Sequence, residues 1–155
     1  MALESGFSSL PIPKHQIHRM HAEENIEENA LAYESLLLKI PDGCFDLMLL
    51  GMGEDGHTAS LFPKTHGLHA DNRLVIANFI PDKDSWRMSV TFDCINHSRA
   101  IWVLVLGASK ADMLHQLFYG PYQPDLLPIQ RIGTEQKPAL FLMDREAAPK
   151  NFNHN

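Results

Sequence analysis

Two short apolar runs constrain this chain more than any other feature. Residues 45–50 read FDLMLL and residues 100–106 read AIWVLVL, and each is closed by a glycine, Gly51 and Gly107. Runs of that length, with little polar alternation and a glycine stop, predict strands buried on both faces. Helical and further strand patterns surround them. Ile26, Ala30, Tyr33 and Leu37 recur on one face of a helix predicted over residues 22–39, with Glu23, Glu24, Glu27 and Glu28 near its dipole-positive start. Pro41-Asp42-Gly43 breaks it. Residues 73–79 predict a strand. Residues 86–92 alternate, Trp86, Met88, Val90 and Phe92 against Arg87, Ser89 and Thr91, as in a half-buried strand. A short helix is expected over 109–118 with Met113, Leu114, Leu117 and Phe118 inward. A last strand is expected over 139–143, then a single helical turn over 144–148. Alternating strands and helices indicate an α/β layer architecture with a mostly parallel sheet.

The sequence has 155 residues, 45% hydrophobic and 21% charged, enough for one domain over 1–155 with a substantial core. No apolar stretch approaches the roughly 20 residues that span a bilayer. The net charge of -6 gives no general attraction to nucleic acid or to an anionic membrane. An anionic substrate would have to be caught by a few local cations. Two cysteines, Cys44 and Cys94, make no disulfide scaffold, fit a reducing compartment and read as buried thiols. Residues 1–10 show no basic segment followed by an apolar one, so no signal peptide is expected and a cytoplasmic location is. His15/His18 and His66/His69 have H-x-x-H spacing but no cysteine cluster or H-E-x-x-H pattern; no metal site is expected.

Ligands bind open α/β sheets beyond the carboxyl ends of strands, which directs attention to the residues after Leu50 and Leu106. After Leu50 comes Gly51-Met52-Gly53-Glu54-Asp55-Gly56-His57. This is formally G-x-G-x-x-G, but the acidic residue that a dinucleotide site needs about 20 residues further on is missing. The Asp55/His57 pair is more telling. A carboxylate two residues from an imidazole on a tight turn can hold one ring nitrogen and leave the other to take a proton from water. The bland alternative is a capping aspartate and a packed histidine; the position after a buried strand favours chemistry.

At this point the chain resembles a family. Residues 45–63, FDLMLLGMGEDGHTASLFP, look like the signature of 6-phosphogluconolactonases, which share an α/β superfamily with glucosamine-6-phosphate deaminases. Ile12-Pro13, Ile17-His18-Arg19-Met20, Arg87-Met88-Ser89 with Thr91, Asn96 with Arg99, residues 103–111 and residues 142–148 continue the resemblance. It implies a Rossmann-like three-layer fold and hydrolysis of 6-phospho-D-glucono-1,5-lactone to 6-phospho-D-gluconate in the oxidative pentose phosphate pathway, without a cofactor. In that reading His57 is the general base and Asp55 orients it. The turn of Gly51, Gly53 and Gly56 offers amides to the substrate. Lys110, in Gly107-x-x-Lys110-Ala111, and Arg87 take the phosphate. Arg19 and Arg99 are expected in structural ion pairs. Members of the family begin with further strands carrying a Gly-Gly-Ser/Thr loop and an Asp-Glu-Arg motif. The expectation here is a fold without those N-terminal strands, self-associating or seated on the missing half. Two other readings stay open: an amino-sugar phosphate deaminase/isomerase, and an inactive C-terminal fragment that needs a partner. Against the deaminase, its glutamate two places past the alanine-phenylalanine pair corresponds here to Phe62.

Overall fold

The computed structural model describes residues 4, 6–41, 45–150 and 152. Along them run α1 (Ile26–Leu37), β1 (Met48–Gly51), β2 (Val75–Ile80), β3 (Ser85–Val90), α2 (Phe92–His97), β4 (Ile101–Val105), α3 (Ala111–Tyr119) and β5 (Leu140–Met143), linked in places by 3-10 turns. The α/β architecture is as expected. α1 is shorter than its pattern, because Asn25 just before it is left-handed. Its predicted face is right: Ala30 and Leu37 are buried, and Ile26 and Tyr33 pack against the same core. Asp42, Gly43 and Cys44, including the expected helix break, lie outside the described residues.

The strands form two sheets. β1, β4 and β5 are parallel, in that order, with Leu50 beside Val103 and Val103 beside Phe141. β2 and β3 form a separate antiparallel hairpin, Val75 opposite Val90 and Ile80 opposite Ser85. One buried apolar cluster joins the two, drawing on Leu50, Val103 and Val105 from one sheet and Val75 and Val90 from the other.

The prediction that runs 45–50 and 100–106 are buried on both faces fails. Ile101, Val103 and Val105 are 2%, 0% and 1% exposed, but Trp102 and Leu104 between them are 40% and 39% exposed, and Leu49 is 59% exposed. Successive side chains of a strand point to opposite faces. The described chain therefore supplies a covering layer to one face of the parallel sheet only. β3 departs in the other direction. Ser89 and Thr91, expected on a solvent face, are both 2% exposed. The Ser89 hydroxyl accepts from the Ser60 amide, and Thr91 accepts from the Cys94 amide as the N-cap of α2. Phe92 starts this helix instead of ending a strand.

α3 is preceded by a 3-10 turn, Ala108–Lys110. It buries Leu114, while Phe118, expected inward, is 38% exposed at the edge of Phe141. Residues 144–148 carry one helical hydrogen bond, Ala148 N–H to the Asp144 carbonyl. Among the described residues no helix is long and apolar enough to cross a membrane.

Candidate active site

β1 brings the chain at Gly51 to the carboxyl edge of the parallel sheet, and the turn that follows closes on itself. The Gly53 amide donates to the His57 carbonyl at 2.8 Å, and the Gly56 amide to the Gly53 carbonyl at 3.1 Å. Within the turn, Asp55 Oδ1 accepts from the His57 amide at 3.1 Å and from His57 Nδ1 at 2.6 Å. A carboxylate acceptor at that distance requires the proton on Nδ1, so in the neutral ring Nε2 carries the free lone pair. The pair explains the glycine: a Cβ at Gly53 would lie 2.1 Å from His57 Nδ1 and 2.6 Å from Asp55 Oδ1. Gly56 has φ +75°, and a Cβ there would meet Leu127 Cδ1 at 2.1 Å. Partial burial pushes the Asp55 carboxyl up, but hydrogen bonds from the His57 ring and amide outweigh it and hold the group below its ordinary value.

The loop beyond His57 is fastened from below. Thr58, fully buried, donates to the Gly51 carbonyl at 2.9 Å. Asn78 on β2 is 1% exposed and donates to the Ser60 carbonyl (2.9 Å) and Thr65 Oγ1 (3.0 Å) while accepting from the Gly67 amide (3.0 Å). Thr65 in turn donates its hydroxyl to the Phe62 carbonyl at 2.8 Å. The Phe62 ring stacks on the His57 imidazole, with centroids 3.9 Å apart and planes 19° from parallel.

His57 lines a cavity of about 440 Å³ together with Leu49, Leu50, Gly51, Met52, Gly53, Ala59 and Lys110. Of the expected site residues, His57, Gly51, Gly53 and Lys110 thus share one space. Asp55 sits behind the imidazole, and Gly56 is buried under Leu127. The Gly53 and Gly56 amides are committed within the turn. Arg87 does not line this cavity; it is exposed on β3 opposite Asn78. The loop that carries Lys110 is fixed by Asp144, whose carboxylate accepts from the Gly107 amide at 3.0 and 3.1 Å.

Arg19 and Arg99 take the expected ion-pair roles, with Glu23 and with Asp46 respectively. Cys94 is a buried free thiol whose pKa is pushed up to about 11 by burial and by the Glu34 charge. Among the described residues no group of three His, Cys, Asp or Glu could hold a metal, and His69 lies 3.7 Å from Asp125. Sequence reasoning missed the fastening residues Thr65, Asn78 and Ser89. A signal was available for Asn78: a lone amide inside the apolar run 75–80 needs buried hydrogen-bond partners.

Residues 1–141 match the family model described as glucosamine-6-phosphate isomerases/6-phosphogluconolactonase. The 6-phosphogluconolactonase of Chlamydia trachomatis is 39% identical over 142 residues, which cover 91% of this chain and 54% of that protein. The 6-phosphogluconolactonase of Haemophilus influenzae is 35% identical over 142 residues, covering 91% and 61%. Among solved structures, the devB protein superposes with TM-score 0.80 at 31% identity, covering 91% of this chain and 61% of its own. The Thermotoga maritima 6-phosphogluconolactonase gives TM-score 0.76 at 29% identity, covering 92% and 62%. The chain spans about half the length of the chlamydial relatives it matches. It belongs to the family of glucosamine-6-phosphate isomerases and 6-phosphogluconolactonases.

Proposed function

We propose that this chain carries the catalytic histidine of a 6-phosphogluconolactonase, which hydrolyses 6-phospho-D-glucono-1,5-lactone to 6-phospho-D-gluconate. The observation that supports it is the Asp55–His57 pair at the end of β1, in one cavity with Lys110. In this reading His57 Nε2 takes a proton from water as the water oxygen attacks the lactone carbonyl carbon. The tetrahedral intermediate collapses with cleavage of the bond between that carbon and the ring oxygen. The imidazolium returns its proton to the departing ring oxygen, which becomes a hydroxyl group. Asp55, ionised, holds the ring and favours the imidazolium that forms. Lys110 binds the 6-phosphate as a charge donor. Arg87, on β3 outside this cavity, is the second cation assigned to the phosphate in this reading. Gly51 and Gly53 line the cavity and let substrate approach the backbone, and Gly56 shapes the turn behind them. The reaction needs a base, water and charge stabilisation, and no cofactor.

The bare face of β1, β4 and β5 is, in the same reading, the seat of the remaining polypeptide of this fold, on the same chain or a separate one. The chlamydial relatives are nearly twice as long as the stretch matched, and parallel sheets keep both faces covered. The free, buried Cys94 and the two-cysteine composition fit a cytoplasmic location.

The test is a coupled assay with the lactone and, separately, glucosamine 6-phosphate, on the chain alone and combined with the unmatched part of a relative. Lactone turnover that falls by about 10²–10⁴ in His57→Ala, with no deamination, is expected. Near wild-type turnover in that variant removes His57 from the mechanism.

A further inference from the structure

We infer that Phe62 is a positioning residue for His57: its ring fixes the plane of the imidazole that the Asp55 hydrogen bond alone leaves free. The inference deepens the lactonase reading and rests on it for its kinetic consequence.

A hydrogen bond from Nδ1 to one carboxylate oxygen holds a single point of the imidazole. The ring can still swing about that contact and carry Nε2 away from the cavity. A face contact constrains what the edge contact does not. Phe62 supplies one, at 3.9 Å between centroids and 19° between planes. Flat, face-on packing at that distance also keeps water off one side of the imidazole, which is itself only 27% exposed at its side chain.

The phenyl ring can act as a fixed stop because it is not free itself. Phe62 is 9% exposed, between fully buried Leu61 and half-buried Pro63. Its carbonyl accepts from both the Thr65 amide (3.3 Å) and the Thr65 hydroxyl (2.8 Å). Thr65 Oγ1 accepts from Asn78, which is anchored in β2. A continuous path therefore runs from a sheet strand through Asn78, Thr65 and Phe62 to the imidazole face. Lys83, in the turn after β2, places its ammonium 5.7 Å from the Phe62 ring centroid, a second contact from the same hairpin. A ring held this way sets orientation, and a displacement of about 1 Å in a reacting group can cost about 10²-fold in rate.

The test uses the chain labelled with ¹⁵N and ¹³C at histidine, with His57 resonances assigned by their loss in His57→Gln. Loss of the phenyl ring changes the ring-current shift trivially, so the readouts are the imidazole tautomer and the order of the ring. Wild type is expected to show one tautomer, Nδ1–H, on an ordered ring. Phe62→Leu, which keeps an apolar side chain in the core, should give mixed tautomers and a mobile ring; Phe62→Tyr should restore the wild-type pattern. Phe62→Met replaces Phe62→Leu if the latter does not fold. In an active assembly, Phe62→Leu should lower kcat about 10–100-fold with KM changed less than about twofold. An unchanged tautomer and ring order in Phe62→Leu and Phe62→Met overturns the inference. Altered ring behaviour with no lactone turnover in any assembly would uphold the positioning role and sink the lactonase reading.

Discussion

The two sheets of this protein were written in similar apolar residues and have been finished differently. In the β2–β3 hairpin, the neighbours Val75 and Ile76, and Met88, Ser89 and Val90, are all 8% exposed or less, so both faces are covered at that end, while Phe79, Trp86 and Arg87 towards the turn are exposed. α1 packs against both strands, and the loop 58–67 is bonded to Asn78 and Ser89. A two-stranded ribbon is marginal by itself and persists only when packed in this way. The parallel sheet, the kind that normally has two covers, has one among the described residues. Leu49, Trp102 and Leu140 form a row of adjacent strand partners across its open face, and Leu104 and Leu142 form the next. The candidate site lies where the two meet: His57 stands on the loop anchored to the hairpin, and Lys110 on the loop that leaves β4.

If the hairpin side is the rigid half of the site, its polar anchor should matter most. Asn78→Ala removes the partner of two acceptors, the partly buried Ser60 carbonyl and Thr65 Oγ1, and of one donor, the Gly67 amide. Leaving buried groups unsatisfied costs about 1–3 kcal/mol each, partly relieved by water in the space left. A loss of about 3 kcal/mol is expected in urea unfolding. A loss below about 1 kcal/mol would make the hairpin no firmer a foundation than the open sheet.

Lys110 tests the other half. A charge-assisted contact to phosphate contributes about 1.5–3 kcal/mol, or one to two decades in affinity. Calorimetric titration with 6-phospho-D-gluconate at fixed ionic strength should show that loss in Lys110→Ala with little change in unfolding free energy. Equal affinity would move the phosphate away from β4, towards Arg87 and the hairpin.

A smaller effect sits at the join of α1 and β2. Glu34 accepts from Arg73 and from the amides of Leu74 and Val75. Burial raises its carboxyl, but the Leu74 amide, then Arg73 and the Val75 amide, outweigh burial and leave it below the ordinary value of 4.5. A lowered folded-state value means this contribution is present above about pH 4.5 and is lost as pH falls through the folded value. Glu34→Gln should cost about 1 kcal/mol at pH 7 and less at pH 3. An equal cost at both would show that shape, and not charge, ties the helix to the hairpin.

The elements were legible in the sequence where a local pattern sufficed. The α1 face, the two glycine-ended strands and the Asp55–His57 turn were all set by spacing along a few neighbouring residues. What was not legible depends on residues distant in sequence. Ser89 is 29 positions from the Ser60 amide it accepts, and Asn78 is 18 from the Ser60 carbonyl. No local pattern reports that a serine on a strand's polar face will be covered by such a loop. The two-sided burial predicted for 45–50 and 100–106 failed for a related reason. An unbroken apolar strand states what it needs on each face, not whether the described chain provides it.

The last prediction puts the smallest stability change on the largest exposed feature. Leu104 is 39% exposed at the centre of the bare face, on the middle strand of the sheet. Replacing it by lysine removes only a side chain that is already partly in water, and the longer stem can still lie on Trp102 and Leu142 while the ammonium reaches solvent. The unfolding free energy of the dilute chain should therefore change by less than about 0.5 kcal/mol. Association should change much more. An apolar face of this kind drives contact between copies when its proper cover is missing, and burying a lysine ammonium in that contact is costly unless it is paired. Sedimentation velocity should show the wild-type chain alone growing in size with concentration, and Leu104→Lys remaining small at the same concentrations. The same substitution should weaken capture of the unmatched part of a relative. If Leu104→Lys costs 2 kcal/mol or more in the dilute chain, the face is already covered within the chain and the contrast between the sheets disappears. If association is unchanged, the copies meet elsewhere, and the open face is not what holds them.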